Sequence, residues 1–285
     1  MSSLRALRRR IRSVQNTQQI TKAMEMVAAA KLRRAQTRAL AARPYAAKIT
    51  EMLGNLAGAA GELEHPLFKA REVKRTALVV VTADRGLCGA YNANLVRAAE
   101  HRLRAVEPDT LPLVLVGKKG RDYFKRRRYP VLAVHTPLPN EANLEFARQL
   151  TQELIDRFVG GEVDRVELMY TRYITALTRR VTTEVFLPAG GGAPGEPARE
   201  RGTLFEPDAE RIFAELLPRY ATAKLFAALA DALASEHSAR MIAMGSARKN
   251  AGELLDLLVL RRNRMRQATI TRELLEIVGG AEALK

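Results

Sequence analysis

Residues 219–285 read RYATAKLFAALADALASEHSARMIAMGSARKNAGELLDLLVLRRNRMRQATITRELLEIVGGAEALK. The stretch holds no proline in 67 residues, and its only glycines before the final turn are Gly245 and Gly252. Nothing in it ends a helix decisively, so it predicts one long helix. At 1.5 Å per residue such a helix runs to roughly 100 Å, several times the width of a domain this size. Packing supplies most of a helix's stability in water, so a helix of that length needs a second helix beside it or another protein around it.

The N-terminal residues supply the second helix. Counting by alternating threes and fours gives Leu4, Leu7, Ile11, Val14, Gln18, Thr21, Glu25, Ala28, Leu32, Ala35, Ala39, Ala42, Ala46, Ile49, Leu53 and Leu56. This is a heptad seam, polar at Gln18, Thr21 and Glu25 and alanine-rich in its middle, which suits close approach in a thin pair. Pro44 predicts a kink rather than an end, because the seam keeps its phase across it. The C-terminal stretch carries a weaker stripe of Leu225, Leu229, Ala232, Ala239, Ala243, Ala247, Asn250, Leu254, Leu257 and Leu258. Arg261, Arg264 and Arg266 interrupt it. Apolar character returns at Ile270, Leu274, Leu275, Ile277 and Val278, on several sides of the helix, which suggests burial in another molecule.

The chain of 285 residues has room for one large domain or two small ones, and 47% hydrophobic content excludes general disorder. No apolar run is long enough for a membrane span, and the basic N-terminus lacks an apolar signal core, so a protein that is not secreted is expected. A single cysteine, Cys88, excludes an internal disulfide and fits a reducing compartment. The net charge of +16 is unevenly placed: +11 in residues 1–50, +1 in residues 51–218 and +4 in residues 219–285. A basic helical pair alone leaves two partners open, nucleic acid and an acidic protein surface. Aromatic residues make up 5% of the chain with no Trp, which is little material for base stacking.

Between the two helical stretches the period changes. Residues 77–82 (ALVVVT) read as a strand covered on both faces. Alternating elements follow: helix 91–106, strand 113–116, helix 118–128, strand 131–134, helix 143–158, and strands 165–170 and 181–187. This pattern predicts a Rossmann-like α/β middle domain with a largely parallel sheet. Residues 189–202 (AGGGAPGEPARERG) are loop by composition. Asp208 starts a helix that Pro218 is expected to bend or interrupt. The boundaries are an N-terminal coiled-coil helix at 1–57, an α/β domain at 74–190, a loop at 191–207 and a C-terminal coiled-coil helix at 208–285.

No site for a reaction emerges from the residues. The strand, glycine turn and helix around residues 84–91 resemble a phosphate-binding element, but the glycines are Gly86 and Gly89 alone, with neither GxGxxG nor GK[ST]. A tight turn with close strand-to-helix packing is the favoured reading. Cys88 near a helix start could be reactive, and ordinary packing is favoured over that. His65, His101, His135 and His237 show no metal-ligand spacing. Ser235, Glu236, His237 and Ser238 are adjacent on a helix, point in different directions, and read as a polar face rather than an acid/base group. A mechanical protein whose helical pair works inside a partner and a nucleic-acid-binding coiled coil both survive, and the apolar tail disfavours the second.

Residues 20–27 (ITKAMEMV), 84–92 (DRGLCGAYN), 235–241 (SEHSARM), 264–273 (RMRQATITRE) and 276–278 (EIV) together resemble the gamma subunit of the F-type ATP synthase, from Ser2 to Leu284. The resemblance implies an antiparallel two-helix coiled coil of the terminal helices with an α/β foot. Its implied role is a non-catalytic rotor shaft inside a ring of three alpha and three beta subunits. The foot would stand on the ring of c subunits with the epsilon subunit beside it, at the cytoplasmic face of a bacterial membrane. It implies neither cofactor nor metal, and contact with nucleic acid is not expected. The matched positions implied to couple to beta are Lys22, Met24, Arg240, Arg266, Gln267, Thr271 and Glu273, with Asp84, Arg85, Gly86 and Gly89 forming a foot-domain loop. Residues 270–284 would occupy an apolar bearing. With Cys88 the only cysteine, the dithiol redox control of chloroplast relatives is not expected.

Overall fold

The computed structural model describes residues 4–59, 65–68, 71–189 and 209–282. The expected loop at 191–207, residues 60–64 and the last three residues lie outside them. In chain order the elements are α1 (Leu4–Ala59), β1 (Thr76–Val81), α2 (Tyr91–Arg104), a 3-10 turn (Pro108–Thr110), β2 (Leu113–Val116), α3 (Lys118–Lys125), β3 (Val131–His135), α4 (Leu144–Val159), β4 (Arg165–Tyr173), β5 (Arg179–Leu187) and α5 (Ala209–Glu282). Two compact units result: Met1–Ala28 with Met241–Lys285, and Ala29–Arg240.

The second unit is built on a sheet of order β3-β2-β1-β4-β5. β1 pairs parallel with β2 and β4, β2 pairs parallel with β3, and only β5 runs antiparallel, against β4. Successive β1 side chains enter opposite cores, as the two-residue period requires. Ala77, Val79 and Val81 join α4 and the first part of α5, whereas Leu78 and Val80 join α2 and α3. Burial on both faces explains why the strand is apolar throughout. Asn143 caps α4, its Oδ1 accepting from the backbone of Glu145 at 2.8 Å and Phe146 at 3.1 Å. Helix α3 ends at Lys125, short of the expected 128, and Arg128 sits in the left-handed region at φ 58.

Helix α5 passes through Pro218 without interruption, so of the bend or break expected there the break does not occur. The proline removes one ladder donor and crowds the carbonyl one turn back, at about 3 kcal/mol. Phe213, Leu217 and Ala221 lie on one stripe around it and are each 1% exposed. Each fully buried large apolar chain contributes about 1.5–3 kcal/mol, so packing offsets the proline. Phe213 also meets Phe68 edge-on, with ring centroids 5.2 Å apart.

The heptad seam of α1 is buried as read. Leu7, Ile11, Thr21, Ala28, Leu32, Ala39, Ile49 and Leu53 are buried; Leu4, Val14, Gln18, Glu25 and Ala35 are half-buried. The side chains of Ala42, Ala46 and Leu56 lie outside those described. In the first unit Leu7 and Ile11 pack with Leu258, Leu255, Val259 and Met265. Thr21 stays buried because its hydroxyl donates to Thr17 O at 2.9 Å within its own helix. The other two polar members meet glycine. A Cβ on Gly245 would lie 3.1 Å from Glu25 Oε1, and one on Gly252 would lie 3.0 Å from Gln18 Nε2. Glu25 also accepts from Arg248 Nε at 2.8 Å. Gly245 and Gly252 are therefore seven residues apart because Gln18 and Glu25 are, and the two helices run antiparallel. The expected C-terminal stripe holds as far as Ala247, but Asn250, Leu254 and Leu257 are exposed. Beyond Ala247 the buried positions are Ala251 and Leu258, the latter in the expected stripe, with Leu255 half-buried between them.

The residues 235–238 form a polar helix face turned into the second unit. Ser235 Oγ donates to Thr171 O at 2.9 Å, Ser238 Oγ donates to Ala176 O, and Tyr91 OH donates to Ala232 O at 3.2 Å. These bonds satisfy the two serines, and Arg240 meets Glu236 Oε1 at 2.6 Å and His237 Nδ1 at 3.4 Å, so four consecutive polar residues can be buried. Burial, then the charges of Arg240 and Lys31, push His237 down to about 4. An unfolded chain takes up that proton near pH 6.5, so stability is lost as pH falls from about 6.5 to 4 and is fully present above it. Replacing His237 by Gln is expected to flatten the urea-unfolding midpoint across that window, a difference on the order of 3 kcal/mol at its acid end. In the first unit, Gly245→Val drives against the Glu25 carboxylate. It is expected to cost about 1–3 kcal/mol, seen as faster amide exchange at residues 18–25 and 245–252 with β1 and β4 unchanged.

Candidate functional site

The loop between β1 and α2 gathers the sequence's motif residues in one place. Asp84 Oδ1 accepts from Lys118 N at 2.8 Å, and its Oδ2 accepts from Leu138 N at 2.7 Å. One carboxylate therefore ties together the loops that follow β1, β2 and β3. In a doubly wound sheet the carboxyl ends of the strands and a helix N-terminus are where an anionic ligand binds. Here the chain's own Asp84 takes the anion's place at the start of α3. The approach is tight as well: Thr82 Oγ1 accepts from Gly120 N at 2.8 Å, and a Cβ on Gly117 would fall 2.2 Å from Thr82 O. The glycines at 117 and 120 are used to close the β1–α3 contact, so a nucleotide phosphate has no room there.

The rest of the loop is held by α5. Arg240 donates to Gly86 O from Nε at 3.3 Å and from Nη2 at 3.2 Å, and Nη2 also meets Glu236 Oε1 at 2.6 Å. The two side chains are 12% and 10% exposed, so the pair is shielded from solvent. Burial pushes the Glu236 carboxyl up, and Arg240 opposes that. Asn92 Oδ1 accepts from Ala83 N at 3.0 Å, and its Nδ2 lies 3.2 Å from Cys88 Sγ. Burial pushes the Cys88 thiol up, with the Arg240 charge opposing, so the group stays a packed thiol rather than a reactive thiolate. Gly89 takes a left-handed φ of 55, and Leu87 takes 60 while remaining 62% exposed. A non-glycine residue in that region costs roughly 1–2 kcal/mol. The loop holds Leu87 there, with exposed Arg85 nearby.

The remaining motif residues fall in the first unit and do not form a single cluster. Lys22 is exposed and Met24 half-buried on α1. Arg266, Gln267, Thr271 and Glu273 are all exposed, within a stretch that is exposed at every described position from 266 to 279. Since Gln18 faces Gly252, Lys22 lies opposite the neighbourhood of residue 248, and Arg266 is about 18 residues or ~27 Å further along α5. Thr271 Oγ1 donates to Gln267 O at 3.0 Å, which fixes its hydroxyl to the helix. Ile270, Leu274, Leu275, Ile277 and Val278 are between 48% and 69% exposed. Sequence reasoning found these residues but missed the Asp84 tie and the Arg240 clamp. The matched spacing of Gly245 and Gly252 with Gln18 and Glu25 was a signal it could have used. Among the described residues no helix is long and apolar enough to cross a membrane, and no group of three or more His, Cys, Asp or Glu could hold a metal ion.

Comparison with known proteins places this arrangement. The sequence model of the family described as ATP synthase matches residues 3–284. The chain is 48% identical over 285 residues to the ATP synthase gamma chain of Desulforamulus reducens, covering 100% of both chains. It is equally identical, over the same length and coverage, to that of Moorella thermoacetica. Among solved structures, it resembles a chain of the Tetrahymena thermophila mitochondrial ATP synthase central stalk and c-ring, at 26% identity and a TM-score of 0.63. The match covers 80% of this chain and 99% of that one. A chain from the Euglena gracilis mitochondrial ATP synthase OSCP/F1/c-ring, 21% identical, shares the fold at a TM-score of 0.72 over 99% of this chain and 94% of that one. With a family match across nearly its whole length and full-length relatives at close to half identity, the chain belongs to the ATP synthase gamma-chain family.

Proposed function

We propose that the chain is the central rotor shaft of an F-type ATP synthase, a non-catalytic subunit that couples ion flow to ATP synthesis or hydrolysis by rotation. The observation that carries this reading is the full-length match to gamma chains in a molecule whose α5 continues to 282 with every described side chain from 266 to 279 exposed. The apolar side chains exposed together along it, Ile270, Leu274, Leu275, Ile277 and Val278, mark a surface suited to being covered by another protein. In this reading residues 1–57 and 208–285 form the shaft, 74–190 the foot, and 191–207 a connecting loop. The partners are a ring of alpha and beta subunits around the shaft, with the epsilon subunit and the c ring at the foot. The membrane is met only through the c ring, on the cytoplasmic face.

The mechanism is a moving bias. An asymmetric shaft stabilises a different conformation at each surrounding catalytic site, and turning it moves that preference around the ring. A shaft that slides against its sleeve is helped by attraction without deep interlocking, which a basic surface facing acidic levers supplies. Lys22 and Met24 meet the beta levers at one level, and Arg266, Gln267, Thr271 and Glu273 meet beta at another. Arg240 acts indirectly, since its guanidinium is committed to Gly86 O and Glu236. It keeps the loop of Asp84, Arg85, Gly86 and Gly89 in the shape that presents Arg85 and Leu87. The apolar chains from Ile270 onward form the bearing surface.

Co-expressed with alpha and beta subunits of the same source, the chain is expected to copurify as one copy per three of each, with ATPase activity that the chain alone lacks. A free protein that binds DNA with a steep salt dependence would return the basic coiled-coil alternative. Arg266→Glu combined with Gln267→Leu is expected to lower coupled ATP synthesis and ATP-driven rotation by about tenfold or more, corresponding to ~1.4 kcal/mol of lost coupling. Unchanged rotation and synthesis in that double variant would remove these residues from the coupling surface.

A further inference from the structure

Within the second unit a small cavity of about 60 Å³ lies between α1, the loop before α4 and the middle of α5. Its polar lining is Lys31, Arg34 and Arg38 from α1, Asn140 and Glu141 from the loop, and His237 from α5. Glu141 is the single carboxylate among the described lining residues. It is shared by Arg34, at 3.8 Å, and by Arg38 in a closer pair. Three cations against one anion leave the lining two positive charges in excess. Lys31 acts on both Glu236 and His237 through its charge, so that excess reaches the buried end of the cavity.

His237 completes the chemistry. The residue is 6% exposed, and its Nδ1 lies 3.4 Å from Arg240 Nη1. A guanidinium can only donate, so Nδ1 accepts and the proton of the neutral ring sits on Nε2, making the imidazole a donor there. Among the polar lining groups, all except Glu141 and the Asn140 carbonyl can therefore donate to an anion, and Ala35, Ala142, Ala230 and Leu233 complete the wall. The volume holds roughly four or five water-sized spheres, the space of a tetrahedral oxyanion with its four oxygens. Arginine forks suit such an ion in geometry, and the half-buried Lys31 gains a counter-charge from it.

We propose that this cavity is a binding site for a free phosphate-class oxyanion. Lys31 and His237 form its inner contacts, and Arg34 and Arg38 form its mouth, where their side chains are 75% and 44% exposed. The site is separate from the Asp84 loop and does not depend on the rotor reading.

The test is calorimetric titration of the full chain with inorganic phosphate, and separately with ADP, at constant ionic strength. One saturable phosphate site per chain is expected, with ADP at least about tenfold weaker because the cavity admits the free ion only. Lys31→Gln and His237→Gln are each expected to weaken phosphate binding by about tenfold or more, with folding checked by circular dichroism. Lys31→Gln, at a half-buried position, keeps the test open if His237→Gln fails to fold. A control that removes two exposed charges elsewhere, Lys249→Gln with Arg261→Gln, is expected to leave the affinity unchanged. Absence of saturation, ADP binding tighter than phosphate, or a control that loses as much as Lys31→Gln would each overturn the proposal.

Discussion

The burial of the first half of α5 against the sheet is the interaction on which the rest of the chain depends. Phe213, Leu217, Ala221, Leu225, Ala228, Leu229 and Ala232 belong to the same core as β1, β4 and α4. That packing is strong enough to carry the helix through Pro218, and it fixes where the polar turn of Ser235 to Ser238 enters the unit. The later turns of α5 find their own partner in the heptad seam of α1.

In the α/β unit the same economy of groups explains why a Rossmann-like sheet carries no nucleotide site at its usual place. The backbone donors at the start of α3 and the strand ends are satisfied by Asp84 and Thr82, not by a ligand. The loop beyond is tied down by Arg240, whose own charge is matched by Glu236. A fold built to bind phosphates at this position has thus been turned into a rigid mount for an exposed loop, which fits a subunit that transmits force better than one that holds substrate.

Much of the fold was legible because each element carries its own period. The strand at residues 77–82 and the helices starting at Tyr91 and near Asn143 were read within a residue or two, since apolar runs and periodicity are local signals. The α1 seam was also read correctly, including its polar stretch. The misreadings have one cause. At Pro218 the local penalty was visible and the core that offsets it was not. In residues 254–260 (LLDLLVL) leucine lies on several faces, so periodicity alone left the phase undetermined. Glu25 and Gln18, by meeting Gly245 and Gly252, set that phase from the other helix. For the site, the motif residues stood out in the sequence, while their grouping did not. Asp84, Lys118 and Leu138 are far apart along the chain, and only the parallel order of β1, β2 and β3 brings their loops together.

By itself, then, the sequence determined two long helices able to pair, an α/β unit between them, a positive charge concentrated on the helices, and the family to which they belong. The helices, the α/β unit and the charge follow from periodicity, composition and spacing, which are properties of neighbours along the chain, whereas the family follows from the resemblance of the motifs at 20–27, 84–92, 235–241, 264–273 and 276–278. The tertiary structure alone decided the order β3-β2-β1-β4-β5, the phase of the helix pair beyond Ala247, the use of Asp84 in place of a bound anion, the commitment of Arg240 to Gly86, and the meeting of Lys31, Glu141 and His237 around one cavity. Each of these joins residues distant in sequence, so each depends on how separate elements pack and not on what any one of them prefers.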